Sequence, residues 1–492
     1  MTNEGPAEDI IKRRAIFYRS FGIYAEVGGF YDYGPIGLRI KRNIEAAWRR
    51  LFPEGLGLLE VETSIVLPEV VLKASGHLAT FTDPVGVCTS CHTPYRLDKL
   101  LEEYYESKGD AEGLSGVKKL KLNDLAARVS GVGIKCAKCA GTIGDPENFN
   151  LMFKTQIGQR GTDAAYLRPE TAQGIFVDFK DIYRSYGLRL PCGICQAGKV
   201  FRNEISPRQQ LVRVREFTQM EAEIFIDRDA AFEGFGGVDF SRIENESLPF
   251  IRRGGEDAHE STVKELLSDG SIPNEYFAIL LCREKELIEQ LGIEKGRYRF
   301  RQLEKEELPH YSMGNIDLEI KTSYGYIEVA GNAHRSDYDL SSHSRLSGED
   351  LSVLSNEKKV LAHVIEASIG ADRLLFSLVD GAVRDDGRGW KFLSLKAAAA
   401  PYMYAVFPLQ KDERLVSKAR EIREGLDAKR IPAFYAESGS IGKRYARADE
   451  IGVPNAITVD FQTLDDATVT VRDRDTSGQV RKKITDILGL VG

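Results

Sequence analysis

The stretch "FRNEISPRQQLVRVREFTQMEAEIFI", residues Phe201–Ile226, decides the fold, because side chains alternate at period two on both sides of a turn-rich break. In its first half Arg202 and Glu204 share one face while Phe201, Asn203 and Ile205 share the other, since successive side chains of a strand point to opposite faces. In its second half Arg213, Arg215, Phe217, Gln219, Glu221 and Glu223 fall on one face, with Val212, Val214, Met220, Ala222 and Ile224 opposite. The connection "SPRQQ" is rich in turn residues, so the halves are expected to pair as an antiparallel hairpin. Further along, "HVIEASIG" puts Glu366, Ser368 and Gly370 on one face of another strand. The expected fold is α+β, with an antiparallel sheet that packs its apolar face on helices and carries Arg and Glu on the other. Two readings of the polar face stay open. It is a solvated outer face, the usual fate of such residues, or a nucleoside triphosphate site, where arginine binds phosphate, a carboxylate accepts from an exocyclic amine and a ring stacks on a base.

Working outward, the 492 residues exceed what one core organises, and three to four units are expected. Residues 1–85 contain a Gly- and Tyr-rich start, a helix from about Leu38 to Leu51 and the β-rich run "LLEVETSIVLPEVVLKASGH". Residues 86–145 form an insertion organised around the first two C-x-x-C pairs. Residues 146–229 hold the hairpin, with strand signals dominating from Tyr166 to Asp227. Residues 230–310 read as a second insertion, containing the helical "HESTVKELLSD" and "CREKELIEQLG". In 311–396 strands return, and "LAHVIEASIGADRLLFSLVDGAV" changes from strand to helix near Ala371. Residues 400–492 alternate strand and helix as an α/β module.

A formal net charge of −7 argues against a protein that coats nucleic acid nonspecifically. No apolar run is long enough to span a bilayer, and "MTNEGPAEDIIKRRAIFYRS" lacks the apolar core of a signal peptide, so a cytoplasmic protein with reduced thiols is expected. Cys88, Cys91, Cys136 and Cys139 are expected to close a tetrahedral, structural zinc site. The residues from 92 to 135 that separate the pairs are longer than a usual zinc ribbon spacing, and His92 is an alternative ligand. The third pair, Cys192 and Cys195, sits in the strand that feeds the hairpin. Its side chains would point to opposite faces, so it cannot clasp one metal. The lone Cys282 reads as core filler. "GSIGKRY" lacks the spacing of a phosphate-binding loop and reads as a strand-to-helix turn.

"FRNEISPR" with "RVREFTQMEAE" resembles motif 2 of the class II aminoacyl-tRNA synthetases, "VIEASIGADR" resembles motif 3, and "EVETSIVLPEV" resembles motif 1. "FYDYGPIG", "SGHLATFTDP", "RPETAQGIF" and "GSIGKRYARADEIGVPNAITVD" are similar to glycyl-tRNA synthetases of the dimeric archaeal and eukaryotic type. The resemblance covers nearly the whole chain. It implies ATP-dependent attachment of glycine to tRNA(Gly) through glycyl adenylate, with Mg²⁺, by a homodimer whose carboxy-terminal domain binds the anticodon. The same adenylate would also serve to make diadenosine tetraphosphate.

The resemblance further implies that Arg202 binds the α-phosphate and, with Arg373, is catalytic. Glu204 accepts from the adenine amine, Phe217 stacks under the base, and Arg373 covers it and reaches the γ-phosphate. Asn203, Val212, Arg213, Val214 and Gly370 line the ATP site. Glu328 and Val329 match its acidic strand, and Glu328 is a partner for Mg²⁺. Glycine falls to Arg96, Glu170, Phe217, Glu221, Glu366 and Ser368. Phe434, Tyr435, Lys443, Arg444 and Arg447 are candidates for anticodon contact. Two positions depart from the family: Ala367 stands where motif 3 usually has proline, and Pro191-Cys192 where Pro-Phe is common. The alternatives are a class II relative that charges another small amino acid, and a zinc-bearing RNA-binding protein that lost catalysis. Arg202, Glu204 and Arg373 together speak against the last.

Overall fold

The computed structural model describes residues 7–24, 27–117, 120–158, 163–309, 311–387 and 389–489. The first six residues of the amino-terminal segment read above lie outside these. A nine-stranded sheet organises the larger part of the chain. Its strands are β1 (Leu59–Glu60), β2 (Cys192–Phe201), β3 (Glu216–Ile226), β4 (Ser247–Ile251), β5 (His259–Thr262), β6 (Tyr298–Gln302), β7 (Asn315–Thr322), β8 (Gly325–Ser336) and β9 (His363–Gly370). They lie in the order β5-β4-β6-β7-β8-β9-β3-β2-β1. Neighbours are antiparallel except β4 with β6 and β1 with β2.

Helices α1 (Pro35–Leu51), α3 (Glu275–Leu291) and α5 (Ala371–Ala382) cover one face, while α2 (Ala172–Ser185) and α4 (Tyr338–Ser347) pack together toward the other. Proline at the first position of α1 suits a site where no backbone N–H is needed. Ile40, Ile44, Ala47, Trp48 and Leu51 then recur at helical spacing and are buried in the main core, to which Met220, Ala222 and Ile224 of β3 also belong. Asn274 caps α3 by accepting from the Phe277 N–H at 2.9 Å. The period-two reading of β3 therefore holds: its even-numbered side chains enter the core, leaving Phe217, Gln219, Glu221 and Glu223 on the opposite face. The change from strand to helix occurs at Ala371, as expected.

Three readings need correction. Residues 230–310 are not set apart: they supply β4, β5 and β6 to the central sheet, and α3 buries Phe277, Leu280 and Leu281 in the main core. The strand-dominated reading of Tyr166–Asp227 missed α2, whose Ile175, Phe176, Phe179 and Tyr183 lie at helical spacing. The strands of the hairpin are also shorter than the alternation implied. β2 ends at Phe201 and β3 begins at Glu216, so Arg202–Arg215 form an irregular connection with Gln209 and Gln210 at positive φ. Cys192 is buried in the cluster with Phe176 and Phe225, and Cys195 in the main core, on opposite sides of β2. Cys282 is core, as read.

Residues in 82–150 build a satellite: strands Thr82–Cys88, Pro94–Arg96 and Ile143–Asn150 with helices Leu97–Lys108, Ala111–Val117 and Leu122–Gly131 around their own apolar cluster. The carboxy-terminal module is a five-stranded sheet in the order Ala433–Tyr435, Tyr404–Pro408, Asn455–Val459, Thr468–Asp473, Gln479–Lys483, parallel in its first three strands.

Candidate active site

A cavity of about 270 Å³ opens on the polar face of the sheet. Phe217, Gln219 and Glu221 reach it from β3, Glu366, Ser368 and Gly370 from β9, and Glu328 and Val329 from β8. Arg202, Glu204, Val212, Arg213 and Val214 come from the connection after β2, Glu170 from the turn before α2, and Arg373 from the first turn of α5. All of these except Gln219, which was read only as part of the polar face, are sequence-predicted site residues. Two others are not brought to it. Asn203 does not line the cavity; its backbone N–H is donated to Leu151 O. The Arg96 guanidinium is held by Asp83, 3.1 Å away, and by Asp98.

At one end carboxylates converge. Register sets this: Glu221 pairs with Ser368 and Glu223 with Glu366 across β3 and β9. Glu221 accepts from the Thr171 N–H at 2.8 Å and from Ser368 Oγ at 2.8 Å. Glu170 accepts from Gln173 at 2.8 Å and faces His77 Nε2 at 3.5 Å. A residue that sequence reasoning missed holds the group together. Arg335, 1% exposed, reaches Glu366 at 3.0 Å, Glu170 at 3.3 Å and Asp339 at 2.8 Å. Its guanidinium also stacks 4.1 Å from the Tyr311 ring centroid and 5.1 Å from that of Phe176. The only local signal for it is the closely spaced Arg335 and Asp339 in "AHRSDYDL", residues 333–340.

The charges differ among the carboxylates. Burial alone would raise Glu170, but Arg335 and His77 hold it well below the usual range. Burial pushes Glu366 up to about 8, against the pull of Arg335 and with help from Glu221 and Glu170. Burial and then Glu170 also raise Glu221. The pocket is thus acidic, with Glu170 held ionised while burial and mutual repulsion oppose ionisation of Glu221 and Glu366.

At the other end the Arg202 guanidinium lies 5.3 Å from the Phe217 ring centroid and donates Nε to Pro169 O at 3.1 Å. Arg373 donates to Val212 O at 3.0 Å and to Glu328 O at 2.8 Å, which ties α5 to β8 and to the connection. Arg213 lies 3.5 Å from Glu204. Asp317, missed from sequence, lines the same end. Burial and then Glu328 push its carboxyl well up. Asp317 and Glu328, lining one cavity with Arg202, Arg373 and the Phe217 ring, suit a polyphosphate carried with a divalent cation.

Residues 153–237 match the tRNA synthetase class II core domain (G, H, P, S and T), and residues 404–491 match the Anticodon binding domain. The glycine–tRNA ligase of Methanothermobacter thermautotrophicus is 37% identical over 97% of this chain and 97% of its own length. That of Aeropyrum pernix is 38% identical over 96% and 93%. This chain belongs to the glycine–tRNA ligase family. Among solved structures, the fold is shared with Giardia lamblia prolyl-tRNA synthetase in complex with prolyl-adenylate, at a TM-score of 0.60 and 16% identity, covering 98% of this chain and 74% of that one. The prolyl-tRNA synthetase from Cryptosporidium parvum, complexed with L-proline and AMP, superposes with a TM-score of 0.56 at 13% identity, covering 99% and 73%.

Away from the cavity of this glycine–tRNA ligase family member, the Sγ atoms of Cys88, Cys91, Cys136 and Cys139 all lie within 4.8 Å of one another. Cys88 and Cys139 are 3.5 Å apart, as are Cys91 and Cys136. A tetrahedron of sulfurs at Zn–S ~2.3 Å has edges of about 3.8 Å, so the cluster fits such an ion. The Tyr95 hydroxyl, 3.2 Å from Cys136 Sγ, lowers that thiol to about 6. In the carboxy-terminal module Arg444 is not available to RNA: it is 2% exposed and donates to Pro408 O at 2.5 Å and Leu409 O at 3.2 Å. Phe434 packs between Tyr402 and Phe407, while Lys443 and Arg447 are exposed. No helix among the described residues is long and apolar enough to cross a membrane.

Proposed function

We propose that the enzyme joins glycine to tRNA(Gly) in this cavity through glycyl adenylate. A carboxylate oxygen of glycine attacks the α-phosphorus of ATP, the α–β bridging bond breaks, and pyrophosphate leaves with the electron pair. A terminal ribose hydroxyl of tRNA then attacks the carbonyl carbon, loses its proton, and AMP departs. No bond to the protein forms, so rate comes from orientation and electrostatics.

Arg202 holds the α-phosphate and offsets the charge that develops there, Phe217 stacks under adenine with Glu204 on its amine, and Arg373 covers the base and reaches the γ-phosphate. Val212, Arg213, Val214, Val329 and Gly370 wall this end. Glu328, beside Asp317, would hold Mg²⁺, which offsets polyphosphate charge. Glu170, Glu221 and Glu366, with Ser368, take the glycine ammonium. The observation behind this reading is that Glu170 and Glu366, both paired with Arg335, stand with Glu221 in the lining of one cavity that Arg202, Phe217 and Arg373 also line. A short ammonium fits such a pocket, and a larger side chain overlaps its walls.

The same reading places the catalytic core in 1–85, 146–229 and 311–396, with 230–310 widening its sheet, a structural zinc on the four cysteines of 86–145, and anticodon contact in 400–492. Ile65, Val66 and Val70 stay 41–53% exposed at the motif 1 strand, which supports a homodimer through that edge. Seven free cysteines fit a reducing cytoplasm. The test is amino-acid-dependent exchange of labelled pyrophosphate into ATP with glycine, alanine, serine and threonine. Exchange with glycine alone is expected. Exchange with none, or with another of the four, overturns the reading.

A further inference from the structure

A buried polar network behind the cavity joins α1 to the adenine end of the site. Lys41, 5% exposed on α1, donates Nζ to Thr218 Oγ1 at 2.6 Å and lies 3.5 Å from Asp372 Oδ1. The Tyr33 hydroxyl donates to the same Asp372 oxygen, and its ring centroid is 4.7 Å from Lys41 Nζ. The other oxygen of Asp372 accepts the Thr218 backbone N–H at 2.6 Å.

Topology explains why a carboxylate stands there. β9 pairs with β3 only as far as Gln219 opposite Gly370, where the chain turns into α5. Beyond that point the edge of β3 has no strand beside it, and the Thr218 N–H needs another acceptor. Asp372 supplies it from the first turn of α5. The residue before Thr218 is Phe217 and the residue after Asp372 is Arg373. A single carboxylate therefore ties the backbone beside the Phe217 ring to the helix turn that carries the Arg373 guanidinium, and both side chains line the cavity. Asp372 itself lines the cavity, so its negative charge lies near any bound polyphosphate unless a cation compensates it from behind. Lys41 is that cation.

We propose that Lys41 is a positioning residue for the adenine clamp: it fixes and neutralises Asp372, and through Asp372 it sets the spacing of Phe217 and Arg373. The inference rests on the reading that these two residues hold adenine. Its prediction is selective, because the glycine end is held by Arg335 and touches none of this network.

The experiment measures glycine-dependent pyrophosphate exchange with the full chain, varying ATP at saturating glycine and glycine at saturating ATP, for Lys41→Met, Lys41→Arg, Thr218→Val and Phe217→Ala. Lys41→Met is expected to raise the KM for ATP about ten-fold while the KM for glycine stays within about two-fold. Lys41→Arg should recover most of the loss, because it restores the charge. Thr218→Val, which removes one Lys41 partner and keeps the backbone donor, should shift the same constant in the same direction by less. An unchanged KM for ATP in folded Lys41→Met, or an equal rise in both constants, overturns the proposal. If thermal melting shows Lys41→Met unfolded, Thr218→Val is judged by the same criterion. Phe217→Ala separates the two levels. Where it raises the KM for ATP and Lys41→Met does not, only the role of Lys41 fails. Where it leaves that constant unchanged, the adenine reading fails and takes this proposal with it.

Discussion

Arg335, 1% exposed, places Nη1 3.0 Å from Glu366 Oε2, and the same guanidinium reaches Glu170 and Asp339. The acidic end of the cavity is therefore a set of carboxylates organised around one base. Replacing Arg335 by Met removes the only cation that contacts all three acids among the described residues. Unpairing buried charges of this kind costs about 3–5 kcal/mol. Urea unfolding near neutral pH should register that loss, and a smaller one in acid, where the carboxylates take up protons. A loss independent of pH would mean that packing, not charge, makes Arg335 important.

Glu366 is pushed up to about 8 by burial, opposed by Arg335. Below that value it carries a proton, and a protonated acid accepts an ammonium poorly. The KM for glycine should therefore fall as pH rises from about 6.5 toward 8 and then level, as the coupled carboxylates release their protons. Glu366→Gln should bind glycine weakly and flatten this profile. A profile in Glu366→Gln as steep as that of the native enzyme would assign the titration elsewhere.

Glu284 is a separate case of buried charge. It lies on α3 in the main core, accepts from Asn332 Nδ2 at 3.0 Å, and its other oxygen has no partner among the described residues. Burial pushes it up to about 8, and Asn332 lowers it only in part. Between about 4.3 and 8 the folded chain keeps a proton that the unfolded chain has released, so the contribution is full below the unfolded value and lost as pH rises. Glu284→Gln should thus stabilise the enzyme at about pH 8.5, by up to several kcal/mol at ~1.4 kcal/mol per pH unit, and leave it little changed near pH 4.5. Denaturant titrations at the two pH values check the difference. An equal effect at both would refute the assignment of a neutral Glu284.

Metal content should follow the cysteine geometry. The native chain is expected to hold about one zinc, and Cys136→Ser to lose it, because three thiolates leave the tetrahedron open. Cys192→Ser should keep its zinc, since Cys192 and Cys195 enter different cores on opposite sides of β2. Elemental analysis of the three proteins tests this; unchanged zinc in Cys136→Ser would show that other residues bind it.

Much of the site was legible because strand periodicity is local. Phe217, Gln219 and Glu221 had to share a face, as did Glu366, Ser368 and Gly370, whatever the rest of the chain did. Arg202 and Arg213 were also found, although the strand assumed for them ends at Phe201 and resumes at Glu216. Both line the cavity, and their selection rests on motif resemblance as well as on alternation. Residues 230–310 were misread for the opposite reason: a pattern of short strands and helices does not say which sheet a strand joins, and β4, β5 and β6 find their partners through long-range pairing.

The sheet's two faces, the strand-to-helix change at Ala371, the two C-x-x-C pairs and the family motifs are legible without the fold, because each is written in neighbours a few residues apart. That Arg335 joins Glu170 to Glu366, that Asp317 stands beside Glu328, that Arg444 is buried and that Lys41 reaches Asp372 emerge only on folding. Those relations link residues far apart in the chain, and they exist because packing removes the groups from water, where an unpaired charge becomes costly and a partner must be found in space.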